Sequence, residues 1–204
     1  MQQQHRKDPP RSASLSRKTA ETDVSVELNL DGSGISSVAT GIGMLDHLLD
    51  QLARHGLFDL VVKAAGDLSV DYHHTVEDTA IVVGRAFDHA LGDRSGIARM
   101  GHAIVPLDET LALVALDLSG RGYAVVDSSF AGPTIGHLPS ELVGHFLETF
   151  AREARLNLHV QLLRGQNGHH QAEGVFKALA RALDAACRED PRRIGTVPST
   201  KGTL

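Results

Sequence analysis

Hydrophobic and polar positions alternate along this chain with two periods, one typical of strands and one typical of helices. From residue 18 onward the pattern predicts two strands, a helix at about 44–54, a strand at about 57–66 and a helix at about 76–91. The second half repeats this order, with elements at about 110–118, 122–127, 140–156, up to 164 and 171–187. Long helices with one apolar face beside half-buried strands indicate an α+β layer structure in which helices pack on sheets.

The repetition extends to the residues themselves. The segment 24–32 resembles 111–120, each a strand pattern ending in glycine, and 47–54 resembles 145–152, each a helix that begins at a histidine. We therefore expect two pseudo-symmetric halves, at about 19–101 and 102–204, preceded by a disordered basic tail at 1–18.

The motif His-His-x-x-Glu occurs twice, at 73–77 and 169–173. On a helix, residues four apart share a face, whereas adjacent residues diverge by about 100°. The first histidine and the glutamate of each copy are therefore suited to chelating one ion, and the second histidine is free to reach the ion held by the other copy. His47 and His145, each at a predicted helix start, are the natural fourth ligands. The sequence thus predicts a dinuclear metal centre.

Composition narrows the class of protein. A net charge of −5 with 4% aromatic residues argues against nucleic-acid binding, and no apolar run approaches the ~20 residues of a membrane span. The single Cys187 favours a reducing compartment, the cytoplasm. The basic N-terminal residues lack the apolar segment of a secretory signal. A transit peptide is the less favoured interpretation of them.

Four segments resemble signature stretches of the imidazoleglycerol-phosphate dehydratase family of histidine biosynthesis. They are 43–47, 71–78, 168–173 and 198–202, and the resemblance runs from about Thr19 to the C-terminus. It implies a helical bundle between two β-sheets, two Mn²⁺ ions per active site, 24 subunits built from trimers and active sites shared between neighbouring subunits. Carried over by position, one manganese set is His47, His74, His169 and Glu173, and the other is His73, Glu77, His145 and His170. Three imidazoles and a carboxylate suit several divalent metals, so manganese rests on the resemblance.

The implied reaction removes water from imidazole glycerol phosphate and yields imidazole acetol phosphate. The resemblance places Arg99, Arg121, Ser199 and Lys201 at the phosphate, and Thr200 belongs to the same short loop, which is suited to an anion. Gln51, His55 and Lys177 are expected to line the same pocket. Glu21 is the first candidate for acid–base work, and the expected catalytic residues are Glu21, His47, His74 and Glu173.

Two other classes of protein fit the same residues. A dinuclear metallohydrolase acting on a phosphoester would also combine histidine and carboxylate ligands with an Arg and Lys clamp, but it would release inorganic phosphate. A structural or storage protein would use the metal sites to hold subunits together. Arg99→Ala would leave the behaviour of such a protein unchanged.

Overall fold

The computed structural model describes residues 11–127 and 129–204. The described residues form four helices, α1 (Gly43–Gly56), α2 (His73–Leu91), α3 (Ser140–Glu153) and α4 (Gly168–Cys187). The strands of the first half are β1 (Ser12–Lys18), β2 (Thr22–Asn29), β3 (Ser36–Ala39) and β4 (Asp59–Gly66). Those of the second half are β5 (Met100–Leu107), β6 (Thr110–Asp117), β7 (Tyr123–Asp127), β8 (Thr134–Ile135), β9 (Leu138–Pro139) and β10 (Asn157–Arg164).

The two main sheets have the same topology. Their strand orders are β1-β2-β4-β3 and β5-β6-β10-β7. In each sheet the last pair is parallel and the other pairs are antiparallel. The duplicated arrangement predicted from the sequence is therefore confirmed at the level of strand pairing.

The helices form a layer between the sheets. α2 packs on β1 and β2, α4 packs on β5 and β6, and the two helix pairs α1–α4 and α2–α3 join the halves. One continuous hydrophobic core fills this layer, and within it the Phe87 ring meets Phe58 and Phe150 edge to face at 5.2 and 5.4 Å. Such ring geometry adds to the stabilisation that area burial provides. The predicted α+β class, with helices between two sheets, is confirmed.

The prediction that residues 1–18 form a disordered tail is wrong for residues 12–18. Residues 12–18 form β1 and pair with β2 along their whole length, while residues 1–10 lie outside the described residues. Arg17 Nε donates to Oδ1 of the buried Asp78 at 2.8 Å, which ties β1 to α2. The alternation of serine with Ala13 and Leu15 gave only a weak apolar signal, because an edge strand has little to bury.

The sequence pattern also missed β5, the corresponding edge strand of the second half. It contains Pro106, which an edge strand tolerates because the missing N–H faces no partner. β5 begins at Met100 and belongs to the second sheet. β5 lies very close to α4, since a Cβ built on Gly101 would stand 2.0 Å from the Ala182 carbonyl oxygen.

Helices α2 and α4 begin about three residues earlier than predicted, so that both His-His pairs lie in first helical turns. Asp71 Oδ1 accepts from the His73 amide at 2.8 Å, and Asn167 Oδ1 accepts from the His169 amide at 2.9 Å. Side-chain acceptors of this kind satisfy the free amides of a helix start. None of the helices in the described part of the chain is long and apolar enough to cross a membrane.

Candidate active site

Helices α1 and α4 form the first donor cluster from His47, His169 and Glu173. Glu173 Oε2 lies 2.9 Å from His47 Nε2 and 3.2 Å from His169 Nε2. The two imidazole centroids are 5.4 Å apart. His169 and Glu173 thus share a helix face as their spacing predicted, and the helix-start histidine joins them.

Helices α2 and α3 form the second donor cluster from His73, Glu77 and His145. The two imidazoles stack with centroids 4.7 Å apart, and His145 Nε2 lies 3.4 Å from Glu77 Oε1. His145 Nε2 is buried and has no hydrogen-bond partner among the described residues. A buried nitrogen without a partner is unfavourable in a protein interior, which is what an incomplete ligand set would produce.

Both clusters fit a divalent metal ion. In each, one ligand atom per residue lies within 4.8 Å of the others. Burial raises the pKa of Glu173, but hydrogen bonds from Lys177 and His47 outweigh it and bring that pKa down to about 2. The carboxylate is therefore ionised at neutral pH, and two imidazoles with a carboxylate are an ordinary donor set for Mn, Fe, Co, Ni or Zn.

The single chain does not bring the second histidine of either motif to these clusters. His74 Nδ1 lies 3.0 Å from Asp67 Oδ2 and 3.7 Å from Glu21 Oε2. The hydrogen bond to Asp67 raises the pKa of His74. Because adjacent residues diverge on a helix, His74 faces the residues that flank β2 and β4 instead of the neighbouring helix.

His170 has the same kind of partner in the second half. Its Nδ1 lies 2.8 Å from Glu109 Oε2, and this contact lowers the pKa of Glu109 to about 2 and raises that of His170. Both second histidines are thus held through Nδ1 by a carboxylate, and in each ring Nε2 is the nitrogen that remains for a ligand.

The predicted pocket residues lie beside the first cluster. Lys177 Nζ is 2.6 Å from Glu173 Oε1, and His55 Nε2 is 3.1 Å from Gln51 Oε1. Burial, with a contribution from the charge of Lys177, lowers the pKa of His55. At the position of α2 that corresponds to Lys177 the chain has Ile81, so the two clusters differ in charge.

A cavity of about 460 Å³ opens onto the first cluster. Its wall includes His47, His169 and Glu173 together with Tyr72 and His137. The last two were not predicted, because Tyr72 precedes the helical repeat and His137 lies in the β8–β9 hairpin, where no spacing marks it.

The residues expected at the phosphate form a separate group. Arg99 binds Asp117 through Nε at 2.7 Å and Nη2 at 2.9 Å, and its Nη1 donates to the Pro198 carbonyl at 2.6 Å. Arg99 thereby anchors the loop that carries Ser199, Thr200 and Lys201. The end of the chain at Leu204 lies against Gly120, next to the exposed Arg121.

Residues 40–183 match the sequence model of imidazoleglycerol-phosphate dehydratase. The chain belongs to the imidazoleglycerol-phosphate dehydratase family. Curated members of that family resemble nearly all of it. The one from Dehalococcoides mccartyi (strain CBDB1) is 59% identical over 95% of this chain and 97% of its own length, and the one from Chloroflexus aggregans is 56% identical over 95% of each.

Solved structures of imidazoleglycerol-phosphate dehydratases share the fold. The crystal structure of the Staphylococcus aureus enzyme superimposes with a TM-score of 0.80 at 34% identity, covering 88% of this chain and 99% of that one. The Pyrococcus furiosus enzyme, solved in complex with (S)-C348, gives a TM-score of 0.80 at 35% identity and covers 93% and 100%.

Sequence reasoning missed the two carboxylates that hold the second histidines of this dehydratase family member. Asp67 follows β4, and Glu109 precedes β6. Glu109 does align with Glu21 in the internal repeat, since each precedes a threonine that begins a strand. That alignment is the signal from which its place at the site could have been found.

Proposed function

We propose that the chain dehydrates imidazole glycerol phosphate to imidazole acetol phosphate and water, with two Mn²⁺ ions at each active site. Three clusters of potential metal donors occur in the described residues, and the third is formed by Glu21, Asp67 and His74. The observation that carries this proposal is that the other two each combine two imidazoles with one carboxylate, in a chain of this family. Two cations are suited to an imidazole substrate, because a five-membered ring with two nitrogens can contact one cation on each side.

Each metal centre would take its fourth protein ligand from a neighbouring subunit. His47, His169 and Glu173 would hold one ion with His74 of a neighbour, and the other set is His73, Glu77, His145 and a neighbour's His170. The supporting observation is that His74 and His170 stand apart from the clusters of their own chain with Nδ1 already bound. Bound ions would supply Lewis acidity that stabilises negative charge on the imidazole of the substrate.

The chain then assembles into a 24-subunit particle built from trimers. Support comes from the outer face of the second sheet, where Ile104, Tyr123 and Leu163 are 55%, 64% and 43% exposed. Neighbouring subunits in such a particle would cover these side chains. We also assign the protein to the cytoplasm, which agrees with its buried free Cys187.

Glu21 is the group that we propose for proton transfer. Its side chain is 55% exposed and lies near the imidazole that would bind the ion, 3.7 Å from His74 Nδ1. A carboxylate beside the metal-bound substrate is suited to move the carbon-bound proton. His47, His74 and Glu173 take part by holding the metal ion.

Polar groups at the first cluster orient the rest of the substrate. Gln51, His55 and Lys177 provide donors and an acceptor for the glycerol hydroxyls. Arg99 has one N–H of Nη1 and one of Nη2 left beyond its bonds to Asp117 and Pro198, and Lys201 adds a compact charge. Together with Arg121, Ser199 and Thr200 they form the phosphate end of the site.

The test is turnover of imidazole glycerol phosphate by metal-stripped protein, with and without added Mn²⁺, following ketone and free phosphate together. Manganese-dependent ketone without phosphate release supports the dehydratase. Release of phosphate would point instead to a hydrolase, and a folded, metal-loaded protein that gives neither product would overturn the enzymatic proposal. Arg99→Ala in the same assay is expected to raise KM, because a phosphate donor and the anchor of the 199–201 loop are lost together.

A further inference from the structure

A carboxylate holds the second histidine of each His-His-x-x-Glu motif, but the two carboxylates come from different places in the repeat. In the first half Asp67, after β4, accepts from His74 Nδ1 at 3.0 Å. In the second half Glu109, before β6, accepts from His170 Nδ1 at 2.8 Å. Since Gly165 and Gln166 follow β10, the second half has no acid at the place of Asp67.

Because the partners differ, one glutamate makes only an ion-pair contact with its histidine, whereas the other is hydrogen-bonded to it. Glu21 and Glu109 occupy the same place in the repeat, before Thr22 and Thr110. Because Asp67 accepts the hydrogen bond from His74 Nδ1, the Glu21 Oε2 atom lies farther from that nitrogen, at 3.7 Å. Glu109 makes the hydrogen bond to His170 Nδ1, because the other acid near that ring, Asp108, lies 3.8 Å from Nε2 and not beside Nδ1.

Glu109 is also joined to the start of α4. Its Oε1 accepts from the backbone amides of Asn167 at 2.9 Å and Gln166 at 3.2 Å. Asn167 in turn accepts from the amides of His169 and His170. A single side chain thus fixes both the ring of His170 and the turn from which it projects.

The chemical consequence concerns the tautomer of each imidazole. A carboxylate that accepts from Nδ1 keeps the proton there and leaves the Nε2 lone pair for a metal ion. It also makes the imidazole a stronger donor and limits ring rotation.

We propose that Glu109 and Asp67 are positioning residues that aim Nε2 of His170 and His74 at metal ions held by neighbouring subunits. This inference rests on the proposed two-manganese function. Through His170, Glu109 would affect the ion held by His73, Glu77 and His145. Through His74, Asp67 would affect the ion held by His47, His169 and Glu173. It also explains why Glu21, and not its repeat partner, is available for proton transfer.

The experiment is titration of metal-stripped protein with Mn²⁺, read as stoichiometry and affinity by calorimetry. Wild-type protein that binds fewer than two ions per chain would contradict the proposed function itself. Given two ions, Glu109→Ala and Asp67→Ala are each expected to weaken one ion by about 10- to 100-fold and leave the other unchanged. Glu148→Ala, at an exposed position of α3, is the matched control and should bind both ions as wild type does.

Two further variants separate positioning from a general loss of structure. Glu109→Gln keeps an acceptor oxygen for the turn before α4, so it is expected to weaken the same ion by a smaller factor. In the background of Glu77→Gln, which already lacks the second ion, Glu109→Ala should cause no further loss. Binding of both ions at wild-type affinity by Glu109→Ala, or equal weakening of both ions, would overturn the inference.

Discussion

The two halves of the chain present the same metal donors in the same fold but surround them differently. His47 and Glu173 lie beside Lys177 and a cavity. At the second cluster Ile81 stands in the place of that lysine, and the Nε2 atom of His145 is buried. In the proposed function the duplicated part would therefore provide two ion sites, and the departures from the duplication would provide the groups that handle a substrate. Two clusters with the same kinds of metal donor can therefore have different roles toward a substrate.

The outer faces of the two sheets differ in the same way. On the first sheet, Ser14 and Ser16 of β1 stand opposite Glu27 and Ser25 of β2, and all four are exposed and polar. On the second sheet the exposed side chains include the apolar Ile104, Tyr123 and Leu163 beside the polar His159 and Gln161. The outer face of the second sheet is suited to contact with another subunit, whereas the outer face of the first sheet is suited to exposure to water.

Removal of either cluster carboxylate should have the largest effect. Glu77→Gln and Glu173→Gln are each expected to lower the manganese content from two ions to one and to reduce turnover by more than the ~100-fold typical of outer ligand partners. Metal analysis and steady-state kinetics test this, with Glu148→Gln as control. Full activity in either variant would mean that the two halves are not both metal centres.

Glu21→Gln distinguishes the two repeat-related glutamates. It is expected to lower kcat by about 10²- to 10⁴-fold, the usual contribution of a general acid or base, while both ions stay bound. Glu109→Gln should instead weaken the binding of one Mn²⁺ ion, and any loss of kcat should follow from that weaker binding. If Glu21→Gln lost an ion, the two glutamates would have the same role.

Lys177→Met tests the difference in charge between the clusters. Without an ammonium at 2.6 Å from Glu173 Oε1, the first cluster is expected to bind Mn²⁺ tighter by about tenfold. Turnover should fall because a substrate contact is lost. Ile81→Met at the corresponding position of α2 is the control, and calorimetric titration is the measurement. Unchanged manganese affinity in Lys177→Met would show that the charge is not felt by the ion.

The smallest effect is expected at the edge strands, where β1 is held by ion pairs and β5 by close packing of Gly101. The Arg11 guanidinium donates to Asp31, with an Nε–Oδ2 distance of 2.9 Å, and holds the pKa of Asp31 below its usual value of 3.8. A lowered folded-state pKa stabilises the protein above the unfolded-state value, and this contribution is lost as the pH falls through the folded-state value.

Asp31→Asn should therefore lower the free energy of unfolding at pH 7 by about 0.5 to 1 kcal/mol, a small figure because the Asp31 side chain is 55% exposed. The difference from wild type should shrink as the pH drops below 3.8. Urea unfolding of metal-stripped protein at pH 7 and pH 3 tests this. A difference that persists at pH 3 would assign the effect to something other than the ion pair.

The cluster donors could be predicted because helix geometry relates residues four apart, and the internal repeat added His47 and His145. The carboxylates that hold His74 and His170 were missed, since those contacts join residues 7 and 61 positions apart on different elements. Of the two, only Glu109 left a signal in the sequence, its alignment with Glu21 in the repeat. The edge strands were missed for a related reason. β1 and β5 bury little apolar surface of their own, so their pairing depends on neighbours that no local pattern reveals.

The most direct test of the two-centre account is anomalous diffraction at the manganese edge from crystals grown with Mn²⁺. The account predicts two peaks per chain, one bounded by His47, His169 and Glu173 and the other by His73, Glu77 and His145, each completed by an imidazole of a neighbouring subunit. A single peak, or two peaks bound by other residues, would contradict it.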